Sequence, residues 1–206
     1  MLRYIWEFIF WEGFEVASSN RKISVIMIAD AVGYSKHMEA DESATVKNLR
    51  ACEKTLTGLF EKHKGRLFNT GGDSFLEEFP SAVSAVECAV EFQKAIKERN
   101  SSEEAPVKLQ FRIWINSGDV IKEKGNLLGD GVNIAARLEA LAQTDGITVS
   151  KVVYDYVKGK TDYAFNDLGV QKVTQNEFHA STGLAEEGWD QTNANLSRQS
   201  LGMWRD

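Results

Sequence analysis

Two aspartates stand where carboxylates could do chemistry. Residues 23–29 (ISVIMIA) form an apolar, β-branched run that ends at Asp30. Asp73 closes Thr70-Gly71-Gly72-Asp73, a glycine-rich tight turn between two short strand-like runs. In a β-α-β-β order the first strand and the following hairpin are neighbours in one sheet, so a strand-end and a turn carboxylate can converge. Two hard oxygen donors presented this way suit Mg²⁺ or Mn²⁺, which in turn binds phosphate. Gly71 and Gly72 let the backbone approach closely. Each aspartate alone also fits ordinary turn chemistry. After Asp30, the small and polar stretch Ala31-Val32-Gly33-Tyr34-Ser35 leads from strand to helix, and amides there could cradle phosphate oxygens. A third group is Gly129-Asp130-Gly131-Val132-Asn133-Ile134-Ala135-Ala136-Arg137. Asn133 and Arg137 are four apart and share a helix face. An amide and a guanidinium together are donors suited to a ribose oxygen and to developing phosphate charge, although a capped helix with a solvated arginine would read the same way.

The elements that must position these groups follow from periodicity. Residues 23–29 show no alternation, which predicts a central strand buried on both faces. Asp41 caps a helix running to about His63, with Leu49, Cys52, Leu56 and Phe60 at helical spacing and Lys64-Gly65 as its stop. Residues 66–69 and 75–79 pair as a hairpin. Pro80 and Ser81 open a second helix with Val86, Ala89, Val90, Phe92 and Ile96 on one face. Residues 107–115 read as a strand, with residues 120–121 returning across Ser117-Gly118. A helix is expected over 132–142, a strand over 147–149, a short helix over 151–157 and one more strand pair within 163–173. This order predicts an α+β fold, a ferredoxin-like (palm-type) antiparallel sheet with helices on one face. Residues 1–20 form an aromatic amphipathic extension, 21–173 the domain, and 174–206 a polar, unassigned tail.

The chain has 206 residues, 43% hydrophobic and 26% charged, as in an ordinary globular domain. A formal net charge of −6 argues against a nucleic-acid partner. Cys52 and Cys88 lie within helical patterns, which fits small buried thiols in a reducing cytoplasm rather than a disulfide framework. The first sixteen residues are too short and too charged (Arg3, Glu7, Glu12, Glu15) to span a bilayer. They fit a helix packed on protein better than one lying on a membrane surface.

Taken together, residues 28–35 (IADAVGYS), 69–75 (NTGGDSF) and 127–137 resemble the class III adenylyl/guanylyl cyclase catalytic domain, and the chain looks closest to its bacterial soluble type. The resemblance covers about residues 21–173. It implies a lyase that closes ATP to 3′,5′-cyclic AMP with release of pyrophosphate, using two Mg²⁺ or Mn²⁺ ions per site. Asp30 and Asp73 match the metal-binding aspartates, Asn133 the ribose-orienting asparagine, and Arg137 the arginine that stabilises the transition-state phosphate. In this family the metal pair and the Asn/Arg pair come from different protomers, so the resemblance implies a homodimer with shared sites. Residues 31–35, and more loosely Lys172, match phosphate contacts.

The base pocket departs from the family pattern. Asn69 stands where the adenine-selecting lysine is usual, and Asn126 aligns with its partner. Asparagine both donates and accepts, so ATP remains the expected substrate, with GTP as the competing one. A GGDEF-type diguanylate cyclase shares the palm fold and a Gly-Gly-Asp turn, but the 129–137 segment is foreign to it. The rival from another class is a catalytically inactive nucleotide-binding or regulatory module.

Overall fold

The computed structural model describes residues 21–102, 107–123, 126–128, 143–173 and 176–185, and side chains within these up to residue 169, except at 123, 126 and 128. The elements are β1 (Arg21–Ala31), α1 (Tyr34–Ala40), α2 (Glu42–His63), β2 (Arg66–Gly71), β3 (Ser74–Phe79) and α3 (Ala82–Ser101). They continue with β4 (Phe111–Glu123), β5 (Asn126–Leu128), β6 (Ile147–Ser150), α4 (Lys151–Val157), β7 (Ala164–Val173) and β8 (Asn176–Ala185). The sheet order is β2-β3-β1-β4-β6-β8-β7, with β5 paired to the end of β4. All pairings are antiparallel except β4–β6. This is the α+β palm arrangement expected from the sequence.

β1 explains its own composition. Successive side chains point to opposite faces. Val25, Met27 and Ala29 enter the large core under the helices, whereas Ile26 and Ile28 join Trp114, Val120 and Leu127 in a second cluster on the other face. Both faces are covered, so the strand has no polar side to alternate with. Each aliphatic side chain so buried contributes about 1.5–3 kcal/mol before entropy is counted.

α2 and α3 supply the helical layer. Asp41 caps α2 by accepting a hydrogen bond from the Ala44 amide at 2.9 Å, and Leu49, Cys52, Leu56 and Phe60 form its buried stripe. The stop differs in detail from the sequence expectation. Lys64, not Gly65, takes the left-handed conformation, at φ 58°. Gly65 is needed for another reason, since a Cβ there would lie 2.6 Å from the Phe79 ring. Ser81 caps α3 through Ser84 N at 3.1 Å. Gln93, buried on α3, donates to the carbonyls of Phe111 and Gly146 at 3.0 and 3.2 Å and so fastens the helix to the sheet. Both cysteines are buried free thiols, on α2 and α3. No helix among the described residues is long and apolar enough to cross a membrane.

Two expectations are corrected. Ser117-Gly118 is no turn. β4 runs unbroken from Phe111 to Glu123 and pairs with β1 from Phe111 to Ile121, Ser117 opposite Val25 and Gly118 opposite Ser24. A long partner strand overrides a weak local turn signal, and the hairpin forms later, onto β5. The strand pair expected within 163–173 is a single strand, β7. Its partner β8 lies in the polar stretch after Thr174 and inserts between β6 and β7. The helix expected over 132–142 lies outside the described residues.

Candidate active site

The site begins where β1 ends. Asp30 pairs in register with Ser74 of β3 on one side and with Arg112 of β4 on the other. Directly opposed residues share a face, and the three side chains meet. Ser74 Oγ donates to Asp30 Oδ1 at 2.6 Å, and Arg112 Nη2 donates to Asp30 Oδ2 at 2.7 Å. Asp30 is nearly enclosed, with 6% of its surface exposed.

Asp73 occupies the two-residue turn between β2 and β3 together with Gly72, whose φ of 71° is the left-handed conformation glycine tolerates. The turn is anchored to the strand end, because the Ala31 amide donates to the Asp73 carbonyl at 3.2 Å. Partial burial raises the carboxyl pKa of Asp73 above the usual range. The negative charge of Asp30 pushes the same way, while a backbone hydrogen bond and Arg112 oppose it. The two carboxylates are therefore close enough to feel one another's charge. Sequence reasoning placed them together, and the register of β1 on β3 does so.

A divalent cation suits this donor set. Two carboxylates that repel one another gain when a hard cation sits between them. Among the described residues no third His, Cys, Asp or Glu joins them in a metal-binding group. The remaining ligands of such an ion would be water, backbone carbonyls and phosphate oxygens of a bound nucleotide.

The stretch from Ala31 to Ser35 divides in two. The amides of Ala31 and Val32 are already engaged, by the carbonyls of Asp73 and Gln110 at 3.2 and 2.8 Å, so they are not donors for a ligand. Gly33, at φ 66°, is the N-cap of α1, and Tyr34 and Ser35 form its first turn. Asn69 lies on β2 opposite Leu76, which in turn faces Ile28. It therefore stands on the Asp30 face, one row further along, and is exposed. Asn126 starts β5, paired with Glu123. Lys172 is on β7, opposite Glu177. Four strand spacings separate β7 from β1, about 19 Å at 4.8 Å each. Within one chain Lys172 is remote from the aspartates. Asn133 and Arg137 lie outside the described residues.

Sequence reasoning missed Arg112 and Ser74. The signal for Arg112 was available. It is a lone cation inside the apolar stretch Phe111-Arg112-Ile113-Trp114-Ile115, and a charge in such a strand needs a partner. Which partner could not be known without the β1–β4 register.

Comparison with known proteins points to one family. The model of the adenylate and guanylate cyclase catalytic domain matches residues 16–183. A Rhizobium meliloti protein named "Putative adenylate cyclase 3" is 43% identical over 161 residues, covering 78% of this chain and 27% of its own. The chain thus spans about a quarter of that relative. Among solved structures, an adenylate/guanylate cyclase/hydrolase from Silicibacter pomeroyi superposes with a TM-score of 0.73 at 32% identity, covering 81% of this chain and 98% of that one. The adenylyl cyclase CyaB of P. aeruginosa shares the fold at a TM-score of 0.69 and 21% identity, covering 82% of this chain and 96% of its own. With the family model matching most of its length, this chain belongs to the adenylate and guanylate cyclase catalytic domain family.

Proposed function

We propose that the chain is an adenylate cyclase, converting ATP to 3′,5′-cyclic AMP and pyrophosphate as a homodimer with sites shared between protomers. The observation that carries this reading is the meeting of Asp30 and Asp73 across the β1–β3 pair, in a chain 43% identical to a relative named as an adenylate cyclase.

In this reading Asp30 and Asp73 hold two Mg²⁺ or Mn²⁺ ions. Bound there, the ions supply charge neutralisation for the triphosphate and lower the pKa of the ribose 3′-hydroxyl. Gly33, Tyr34 and Ser35 border the triphosphate at the start of α1, and the Arg112 guanidinium adds positive charge on the same side. From the partner, Asn133 orients the ribose, Arg137 stabilises the charge that grows on the α-phosphoryl oxygens, and Lys172 reaches the phosphates. The remoteness of Lys172 from Asp30 within one chain supports its serving the neighbouring site. The 3′-oxygen loses its proton, bonds to the α-phosphorus, and the bond to pyrophosphate breaks. Positioning and electrostatics supply most of the rate.

Asn69 and Asn126 contact the base. Because neither is a charged group, selection of adenine over guanine rests on hydrogen bonds alone, and GTP is the competing substrate. The test is a product assay with Mn²⁺ and ATP or GTP side by side, read by chromatography. Cyclic AMP as the main product is expected. Cyclic GMP in excess would reassign the base pocket. No cyclic product from either, with nucleotide still bound, would make the chain an inactive nucleotide-binding module.

A further inference from the structure

The end of the sheet away from Asp30 carries a cavity of about 610 Å³. It lies where β1 begins, between the end of α2, the start of α3 and the end of α4, and nothing in the cyclase chemistry uses it. Its size is that of a small-molecule site. Its charge is unusual for this protein. Lys22, Lys64, Arg66 and Lys160 line it against the single carboxylate of Glu78, an excess of three positive charges in a chain whose formal net charge is −6.

The cations fall into two groups. Lys22 and Arg66 are tied to Glu78, Arg66 through Nη2 at 2.8 Å. Together with the Ser24 hydroxyl they outweigh the burial of this carboxyl and hold its pKa at about 2. Lys64 and Lys160 make no ion pair with any described residue, and they face the same cavity. Cations gathered in a concave, partly apolar wall focus a positive potential there. The wall also offers apolar surface, with Ile23 77% and Tyr156 48% exposed.

We propose that this cavity is a second ligand site, distinct from the catalytic one, that takes a small polyanion of the phosphate type, such as a polyphosphate or a phosphorylated small molecule. Lys64 and Lys160 contact the anion directly. The Lys22–Glu78–Arg66 group forms a rigid floor that keeps two further cations beneath it.

The experiment is calorimetric titration of the full chain with sodium tripolyphosphate in EDTA, which removes the divalent ions that phosphate binding at Asp30 and Asp73 would require. Saturable binding is expected, with one site per chain. Lys64→Asn with Lys160→Gln removes two charges, and asparagine tolerates the left-handed backbone of Lys64. This variant should weaken binding at least about tenfold and leave cyclase activity unchanged. Asp30→Asn should lose activity and keep the binding. Four results would overturn the proposal: no saturable binding, equal binding by the double variant, loss of binding in Asp30→Asn, or binding to phosphatidylglycerol vesicles without binding to tripolyphosphate.

Discussion

At one end of β1 two carboxylates crowd a single arginine; at the other, one carboxylate stands among four cations. The two ends use the same device, a charge on one strand answered across the ladder by its register partner: Arg112 for Asp30, and Arg66 for Glu78. They differ in which sign is left over. Excess negative charge around Asp30 and Asp73 calls for a metal ion, and excess positive charge around Glu78 calls for an anion. A single, mostly antiparallel sheet thus presents opposite electrostatic characters at its two ends, within a chain that is acidic as a whole.

Glu77 and Glu78 sharpen the comparison, because they are neighbours on β3 and point to opposite faces. Glu78 reaches Lys22, Ser24 and Arg66, and its pKa falls to about 2. Glu77 is wholly buried on the helix-facing side near Cys88, with neither oxygen hydrogen-bonded among the described residues. Burial alone pushes its pKa well above the usual carboxylate value. Identical side chains, one residue apart, have their pKa values moved in opposite directions by what each face supplies.

The largest effect expected is at the acidic end. Asp73→Ala should lower kcat by about 10³-fold or more, equivalent to about 4 kcal/mol of barrier, while the circular dichroism spectrum stays native. Turnover surviving in that variant would break the catalytic reading of the acidic end. Mixing inactive Asp30→Ala and Arg137→Ala chains should then recover part of the activity, since one hybrid site keeps both halves. Proven heterodimers without recovery would separate the acidic end from any partner-borne residues. Arg112→Ala should cost about 10–100-fold in kcat/KM, in the range of a lost charge-assisted contact, and a value near wild type would reduce Arg112 to a structural counter-ion.

At the cationic end the effects are on stability. Because the folded pKa of Glu78 lies below its unfolded value of 4.5, its contribution is present above that pH and lost as pH falls toward about 2. Glu78→Gln should cost about 3 kcal/mol near pH 7, since lowering the pKa from 4.5 to about 2 is worth about 1.36 kcal/mol for each tenfold change in acidity, and little near pH 2. Chemical denaturation at both pH values checks this. Glu77 has the opposite sign. Its folded pKa is raised, so the folded state holds a proton that the unfolded state releases, and stability falls as pH rises above the unfolded value of 4.5. Glu77→Met should raise Tm by about 2–8 °C at pH 7–8, the equivalent of about 1–2 kcal/mol for a chain of this size, and by less at pH 4. No gain would mean that an unseen partner holds Glu77.

Much of this was legible before the structure. The existence of β1, the caps at Asp41 and Ser81, the stripes of α2 and α3, and α4 from Lys151 to Val157 all follow from short-range pattern. The meeting of Asp30 and Asp73 followed from element order. What failed was long-range. Ser117-Gly118 has turn chemistry, yet β1 holds it extended. The polar stretch after Thr174 gave no strand signal, because β8 takes its place through backbone hydrogen bonds to β6 and β7 rather than through an apolar pattern of its own.

The sequence by itself determined which residues carry charge and where the main helices are capped, since capping, glycine turns and apolar spacing act over a few residues. Only the tertiary structure decided which charges face one another. Arg112 meets Asp30, Arg66 meets Glu78, and Glu77 finds no hydrogen-bond partner among the described residues, because strand register and pleat assign every side chain its face and its neighbours. Neither can be read along one strand alone.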